Sequence, residues 1–154
     1  MKSPTTVSGF FYKADDGREV FDMLHHASFG VGNIERAARF YDAALGALGY
    51  IRVWEDLRPG EVGQAVGYGV PGGGDKLALK SVEAGQGAPG AGFHLAFAAP
   101  DRQSVIAFYA AALANGGVDN GAPGLRQHYG PNYFAAFVID PDGYRVEAVF
   151  NQAE

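Results

Sequence analysis

The sequence predicts an α+β fold in which two tandem βαβββ modules form a partly open sheet cleft, with the helices outside. Two observations predict it. Residues 26–49 align without a gap with residues 94–117, so one supersecondary unit is present twice. In each copy, a strand with alternating apolar residues leads into a segment with helical spacing, and further strand-like segments follow.

The two copies are related by a constant shift of 68 positions and share eight identical residues out of twenty-four. Chance matching between alanine-rich helices is the alternative explanation. The paired histidines and the paired Phe-Tyr dipeptides favour a duplication. The identical residues are His26 with His94, Phe29 with Phe97, Phe40 with Phe108, Tyr41 with Tyr109, Ala43 with Ala111, Ala44 with Ala112, Leu45 with Leu113 and Gly49 with Gly117.

Composition limits the class of protein. The 154 residues are enough for one domain or for two small, closely packed modules, and 47% hydrophobic content is ordinary for a chain with a core. A net charge of −5 gives no reason to expect nucleic acid or an anionic membrane as a partner. The chain has no cysteine, which excludes disulfides and thiol catalysis and fits a reducing compartment such as the cytoplasm. No apolar run approaches the roughly 20 residues of a membrane-spanning helix.

The sequence divides into four segments. Residues 1–22 form an N-terminal extension, which is either a short hairpin arm or a plain extension upstream of the core. Residues 23–82 form the first βαβββ module. Residues 83–92, rich in Gly, Ala and Pro, form a linker, and residues 93–154 form the second module.

The first module begins with a strand at residues 24–31, whose odd-numbered residues face the helix while His26 faces a cavity. Asn33 is the expected N-cap of a helix that runs from Ile34 to about Leu48. Three further strands are expected over residues 50–54, 65–70 and 76–80.

The second module repeats this plan. A strand at residues 93–97 again turns its histidine, His94, toward the cavity, and Asp101 is the expected cap of a helix that ends near Asn115. A long loop over residues 121–132 is expected to form a lid or a wall of the substrate site. Strands are expected near Val118, over residues 133–139 and over residues 145–150.

The chain closes with a tight hairpin. Asp140-Pro141-Asp142-Gly143 combines an aspartate that bonds its own backbone, a proline that presets φ and a glycine that accepts a positive φ. This turn places Glu147 in the middle of a strand that is expected to be buried, where an acid needs a partner. A metal ion is one candidate partner, and a structural ion pair with Arg145 or Arg52 is the alternative.

A pseudo-twofold axis between the modules would make His26 and His94 symmetry mates in one cavity. The mate of Glu147 falls on the strand at residues 76–80, where the chain has no carboxylate. The geometry thus offers four ligand positions, of which this chain fills three. A lone histidine on a strand is more often a core residue, but two histidines at equivalent repeat positions favour a metal site.

On these features the chain resembles the vicinal oxygen chelate superfamily, which includes glyoxalase I, fosfomycin-resistance transferases, extradiol dioxygenases and bleomycin-resistance proteins. The resemblance implies that His26, His94 and Glu147 bind one divalent ion, with Fe, Mn, Zn and Ni all compatible. The chain departs from glyoxalase I at Ala78, where that enzyme carries a glutamate. A His-His-Glu set is closer to the pattern of extradiol dioxygenases and fosfomycin-resistance enzymes.

The implied function is a glyoxalase-like, metal-dependent enzyme that acts on a small-molecule substrate with vicinal oxygens, as a lyase, isomerase, transferase or ring-cleaving dioxygenase. The alternative is a non-catalytic small-molecule-binding protein of the bleomycin-resistance type. The family also implies a homodimer.

Several further residues are candidates for this site. Glu147 and His128 are the candidate catalytic residues. His128 is a candidate general base because the ordinary pKa of histidine, about 6.5, suits that role. A solvent-exposed loop residue is the alternative reading of His128. Arg126 is a candidate for holding an anionic group of the substrate. The candidate pocket residues are Trp54, Arg126, Tyr129 and Tyr133, for which an ordinary core position is the alternative.

Overall fold

The computed structural model describes residues 11–13, 19–21, 23–83 and 85–154. These residues form two four-stranded sheets, each with one helix, and a separate two-stranded hairpin. The α+β class and the two βαβββ modules are therefore confirmed. The elements are β1 (Phe11–Lys13), β2 (Glu19–Phe21), β3 (Ala27–Val31), α1 (Ile34–Gly46), β4 (Ile51–Asp56), β5 (Ala65–Gly69), β6 (Leu77–Ser81), β7 (Leu95–Ala98), α2 (Arg102–Ala114), β8 (Val118–Leu125), β9 (Tyr133–Ile139) and β10 (Arg145–Asn151).

The two sheets have the same topology. The first has the strand order β3-β6-β5-β4 and the second β7-β10-β9-β8. In each, the strand that precedes the helix pairs in parallel with the last strand of the module, and the other neighbours are antiparallel. The helix between the first two strands of a module makes this parallel pairing possible.

Both helices begin where the sequence predicts. The Asn33 side chain accepts a hydrogen bond from the Arg36 backbone amide at 2.9 Å, and the Asp101 side chain accepts one from the Ser104 amide at 2.7 Å. Each cap satisfies a backbone amide that the helix itself leaves without a partner. No helix in the described part of the chain is long and apolar enough to cross a membrane.

One hydrophobic core joins the two modules, because α1 and α2 contact each other and each also packs on its own sheet. The Phe29 ring of β3 stacks on Tyr144, which precedes β10, with centroids 4.0 Å apart. The Tyr41 hydroxyl of α1 donates to the Asp140 carboxylate at 2.6 Å, and both groups are buried. The turn before β10 is thus fixed to the first module.

The observed elements differ from the expected ones at a few places. The strand predicted over residues 24–31 begins only at Ala27, so His26 immediately precedes β3, as His94 immediately precedes β7. The prediction of a loop over residues 121–132 is wrong for residues 121–125, because β8 continues to Leu125. Gly121, Pro123 and Gly124 look like loop residues, yet this edge strand accommodates them with two shifts of its pairing register.

The N-terminal extension contains a hairpin in its described part. β1 and β2 pair antiparallel, with Phe11 opposite Phe21. Residues 14–18, which connect these two strands, lie outside the described residues, as do residues 1–10, residue 22 and residue 84 of the linker.

Candidate metal centre

A row of residues crosses the helix-distal face of the second sheet. In register, Glu147 of β10 lies opposite Ala96 of β7 on one side and Phe137 of β9 on the other, and Phe137 lies opposite Gly121 of β8. Residues directly opposite each other project from the same face of a sheet. The neighbours of Glu147 in sequence, Val146 and Ala148, belong to the core on the helix side. Glu147 therefore projects away from the helices.

Glu147 is only 1% exposed, and its two carboxylate oxygens have different surroundings. The Tyr133 hydroxyl donates a hydrogen bond to Oε1 at 2.5 Å. The other oxygen, Oε2, lies 3.2 Å from His94 Nε2, but it has no hydrogen-bond partner among the described residues. An acceptor that is buried without a hydrogen bond is costly, so Oε2 is the atom of this site that most needs a ligand.

His94 and Glu147 fit a divalent cation. Metal–nitrogen and metal–oxygen bonds are about 2.1 Å long, so two ligand atoms 3.2 Å apart subtend about 100° at a shared ion. This angle lies between the octahedral and tetrahedral values. An imidazole with a carboxylate suits Fe, Mn, Zn or Ni. The His94 side chain is 53% exposed, so solvent and small molecules have access to this side of the pair.

His26 is not assembled with this pair. Its Nδ1 lies 2.8 Å from Nδ1 of His25, and the histidine rings are 5.0 Å apart. His26 also lines a small apolar cavity with Leu95 and Ala96, so it lies next to the strand that follows His94. Among the residues that the structure describes, no group of three His, Asp or Glu side chains is close enough to hold a metal. The chain thus brings together two of the three predicted ligands.

The first sheet carries an equivalent row without a carboxylate. Ser28 of β3 lies opposite Ala78 of β6, Ala78 opposite Gly67 of β5, and Gly67 opposite Trp54 of β4. Ala78 therefore occupies the position that Glu147 occupies in the second sheet. A Cβ atom added to Gly67 would lie 2.2 Å from Nε1 of Trp54, so the indole covers Gly67. Trp54 thus lies on the first sheet, apart from the other predicted pocket residues.

Of the other predicted pocket residues, Tyr133 contacts Glu147 directly, whereas Arg126 and Tyr129 lie beside its neighbours Phe137 and Tyr133. The Arg126 guanidinium carbon lies 5.4 Å from the centre of the Phe137 ring. The Tyr129 ring is 5.2 Å from the Tyr133 ring. His128 is exposed and lies beside Tyr129, with ring centroids 4.1 Å apart. His128 is thus near the rim of the site, and its role as a general base stays a prediction.

The alternative prediction, an ion pair between Glu147 and Arg145 or Arg52, is wrong. Arg52 pairs with Asp42 and Glu55 on the first module, and the ion pairs of the described residues include none between Glu147 and Arg145. The carboxylate interacts with Tyr133 and His94 instead. Burial, followed by the hydrogen bond to Glu147, raises the pKa of Tyr133 above the ordinary tyrosine value. Tyr133 therefore stays protonated and acts as a donor to Oε1 at neutral pH.

Sequence reasoning missed Phe137. Its ring lies 6.3 Å from the His94 ring in an edge-to-face arrangement, and 5.4 Å from the Arg126 guanidinium carbon. The signal was available, because the turn at residues 140–143 fixes the pairing of β9 with β10 and so puts residue 137 opposite residue 147. Phe137 lies in a run of apolar residues, so the sequence pattern does not show which residues of this strand face the site.

Two βαβββ modules with matching histidines and a carboxylate on a closing strand define a class of small, two-module α+β proteins. A family model for the Glyoxalase/Bleomycin resistance protein/Dioxygenase superfamily matches residues 23–148. The chain belongs to this superfamily.

Solved structures agree with this assignment. A glyoxalase/bleomycin resistance protein from Albidiferax ferrireducens T118 is 32% identical, with a TM-score of 0.63 over 80% of this chain and 94% of that one. A glyoxalase-related enzyme from Fulvimarina pelagi is 26% identical, with a TM-score of 0.60 over 82% and 86% of the two chains. A glyoxalase I mutant (V278E) from Zea mays is 24% identical, with a TM-score of 0.65, and shares the fold over 92% of this chain and 53% of its own. A search of curated proteins gives no match.

Proposed function

We propose that the protein is a glyoxalase-like, metal-dependent enzyme that acts on a small substrate with vicinal oxygens. One observation carries the proposal: a buried carboxylate whose Oε1 is held by Tyr133 and whose Oε2 lies unbonded beside His94 Nε2. Most buried side-chain oxygens in folded proteins have a hydrogen-bond partner. Here one oxygen is fixed and the other remains available to a cation.

We propose that His94, Glu147 and His26 hold the ion. When bound, a divalent ion supplies Lewis acidity to two adjacent oxygens of a substrate. Glu147 is the only anionic ligand of the set, and its Tyr133 hydrogen bond holds the carboxylate in one orientation. Phe137 and Tyr129 provide apolar surface for the body of a substrate. His128, at the rim, is the proposed base that accepts a proton from the substrate.

We propose that His26 comes from the same chain. The cavity that it shares with Leu95 and Ala96 already brings it to the strand that follows His94. It must exchange its contact with His25 for one with the metal. The assembly is proposed to be a homodimer, and light scattering that detects only a 16 kDa species at high protein concentration would exclude it.

Calorimetry on metal-free protein tests the proposed ligands. Titration with Mn(II), Fe(II), Zn(II) and Ni(II) should give one site per chain. Glu147→Gln removes the negative charge at nearly constant volume and should weaken binding by more than about 100-fold, beyond the effect of removing a residue that only supports a ligand. Glu35→Gln is the matched control, since Glu35 is an exposed carboxylate in the first turn of α1. Equal affinities in the two variants would exclude Glu147 as a ligand.

Mixing two variants that each lack one proposed ligand tests whether His26 comes from the same chain as Glu147. His26→Ala and Glu147→Gln proteins, mixed and allowed to exchange subunits, should regain no tight metal site if each site is built within one chain. Recovery of about a quarter of the sites would show that His26 reaches the site of a partner in a symmetric dimer.

A non-catalytic binding protein is the second candidate. The failure of the structure to assemble three ligands among its described residues favours it. Wild-type protein that binds none of the four ions, yet binds a small aromatic molecule, would support this function over the enzyme.

A further inference from the structure

The guanidinium group of Arg126 packs against two glycines of β8, Gly121 and Gly124. A Cβ atom at Gly124 would lie 3.1 Å from Arg126 Nη1, and one at Gly121 would lie 3.2 Å from Nη2. Any larger residue at either position would therefore press on the guanidinium group. The guanidinium carbon also lies 5.4 Å from the centre of the Phe137 ring.

Within the described part of the chain, the hydrogen bonds of Arg126 go only to neutral oxygens. Nη1 donates to the Gly124 carbonyl at 2.9 Å, and Nη2 donates to the Ala122 carbonyl at 2.6 Å. Among the described residues Arg126 has no ion pair, whereas Arg36, Arg52, Arg58 and Arg102 each have a carboxylate partner. The positive charge of Arg126 is therefore fixed in place but not neutralised.

A fixed guanidinium group retains donors for a further ligand. Arginine has five N–H donors, and two of these bonds leave the remaining donors in a rigid planar arrangement. This arrangement matches the two oxygens of a carboxylate. Because the carbonyl bonds already fix the side chain, an incoming anion would order it at little further entropic cost.

The charge also lies on the metal-binding face. The centre of the Phe137 ring lies 5.4 Å from the Arg126 guanidinium carbon and 6.3 Å from the centre of the His94 ring. Phe137 is directly opposite Glu147 in the sheet. A small planar molecule that lies over Phe137 can thus present one end to Arg126 and the other to the His94–Glu147 pair.

We propose that Arg126 binds a carboxylate of the substrate, and that the substrates are small planar acids with vicinal oxygens at the end opposite the carboxylate. The proposal rests on the proposed function for the position of the vicinal oxygens, but the carboxylate site itself does not require a metal. It assigns a specificity-determining role to Arg126 and the glycines beneath it.

Two probes that differ only in charge test the assignment. We choose 3,4-dihydroxybenzoate and its neutral amide, 3,4-dihydroxybenzamide. Affinities for both are measured by calorimetry on Mn(II)-loaded protein and by NMR titration on metal-free protein. Wild type should prefer the acid by about 10- to 100-fold, the range for hydrogen bonds to a charged group. Arg126→Gln should reduce this preference to less than about threefold.

Two further variants serve as controls. Arg39→Gln removes the same charge from the exposed face of α1 and should keep the full preference. Arg126→Lys keeps the charge without the planar fork and should keep only part of it. An unchanged preference in Arg126→Gln, even with lowered thermal stability, would show that Arg126 only ties β8 together and would overturn the proposal.

The metal-free measurement separates this inference from the proposed function. Loss of metal binding with a retained, Arg126-dependent preference for the acid would exclude the metalloenzyme but support the carboxylate site. Absence of any preference for the acid in wild type, with or without metal, would overturn the carboxylate site.

Discussion

Tyr133→Phe is the substitution whose effect the site geometry predicts in most detail. It deletes only the hydroxyl that donates to Glu147 Oε1 at 2.5 Å. Glu147 is 1% exposed, so water cannot easily replace the lost donor. Both carboxylate oxygens would then be buried without a hydrogen bond, since Oε2 already has none among the described residues.

The magnitude follows from the charge on Glu147. A hydrogen bond to a charged group contributes about 1.5–3 kcal/mol to the free energy of unfolding. For a chain of this size, 1 kcal/mol corresponds to roughly 2–4 °C in the melting temperature. Metal-free Tyr133→Phe protein should therefore melt roughly 3–12 °C below wild type. Its metal affinity should fall about 10- to 100-fold, because residues that orient a metal ligand have effects of this size.

Differential scanning calorimetry and isothermal titration measure the two effects. Tyr144→Phe is the matched control, since it removes a partly buried hydroxyl that donates at 2.9 Å to the Gly30 carbonyl of the first module rather than to Glu147. It should lower stability and leave metal affinity unchanged. The reasoning is refuted if both variants change metal affinity equally, or if Tyr133→Phe lowers stability alone.

Two further predictions concern the fold around the site. Gly67→Ala should displace the Trp54 indole, because the new Cβ would lie 2.2 Å from Nε1, and should cost about 1–3 kcal/mol. Trp54 is the single tryptophan of the chain, so the emission of the variant should shift to the red. An unchanged spectrum would contradict the contact. Gly46→Ala is the control, because a Cβ atom at Gly46 would meet nothing within 4 Å. Burial raises the pKa of Asp140 despite hydrogen bonds from Tyr41 and from the Tyr144 and Asp142 amides. A carboxyl with a higher pKa in the folded chain binds protons more readily there, so its contribution to stability falls as pH rises from about 4 through the raised value. In urea denaturation across this range, the slope of the unfolding free energy against pH should be more positive for Asp140→Asn than for wild type, and equal slopes would contradict the assignment.

The sequence predicted the architecture because its signals are local. The cap at Asn33, the turn at residues 140–143 and the alternating strands each depend on residues near them in the chain. The internal repeat then supplied the relation between the modules. The resemblance to glyoxalase I, rather than the repeat, pointed to Ala78 as the counterpart of Glu147. The register of both sheets agrees, because Ala78 pairs with Ser28 as Glu147 pairs with Ala96.

The site was harder to predict because it depends on contacts across the sheet. The Tyr133 hydrogen bond joins residues 14 positions apart. The packing of Arg126 on Gly121 and Gly124 depends on how β8 shifts its pairing register at these glycines. Propensity assigns such glycines to a loop, although tertiary pairing makes them strand residues. The separation of Trp54 from the other pocket residues likewise follows from which sheet carries it.

The position of a bound metal tests the central claim most directly. Crystals grown with Mn(II) or Co(II) should show one strong anomalous peak per chain, roughly 2.0–2.2 Å from both His94 Nε2 and Glu147 Oε2. The third protein ligand should be His26, and the Tyr133 hydroxyl should remain on Oε1. An anomalous peak at another place, or none beside Glu147 at saturating metal, would contradict the account.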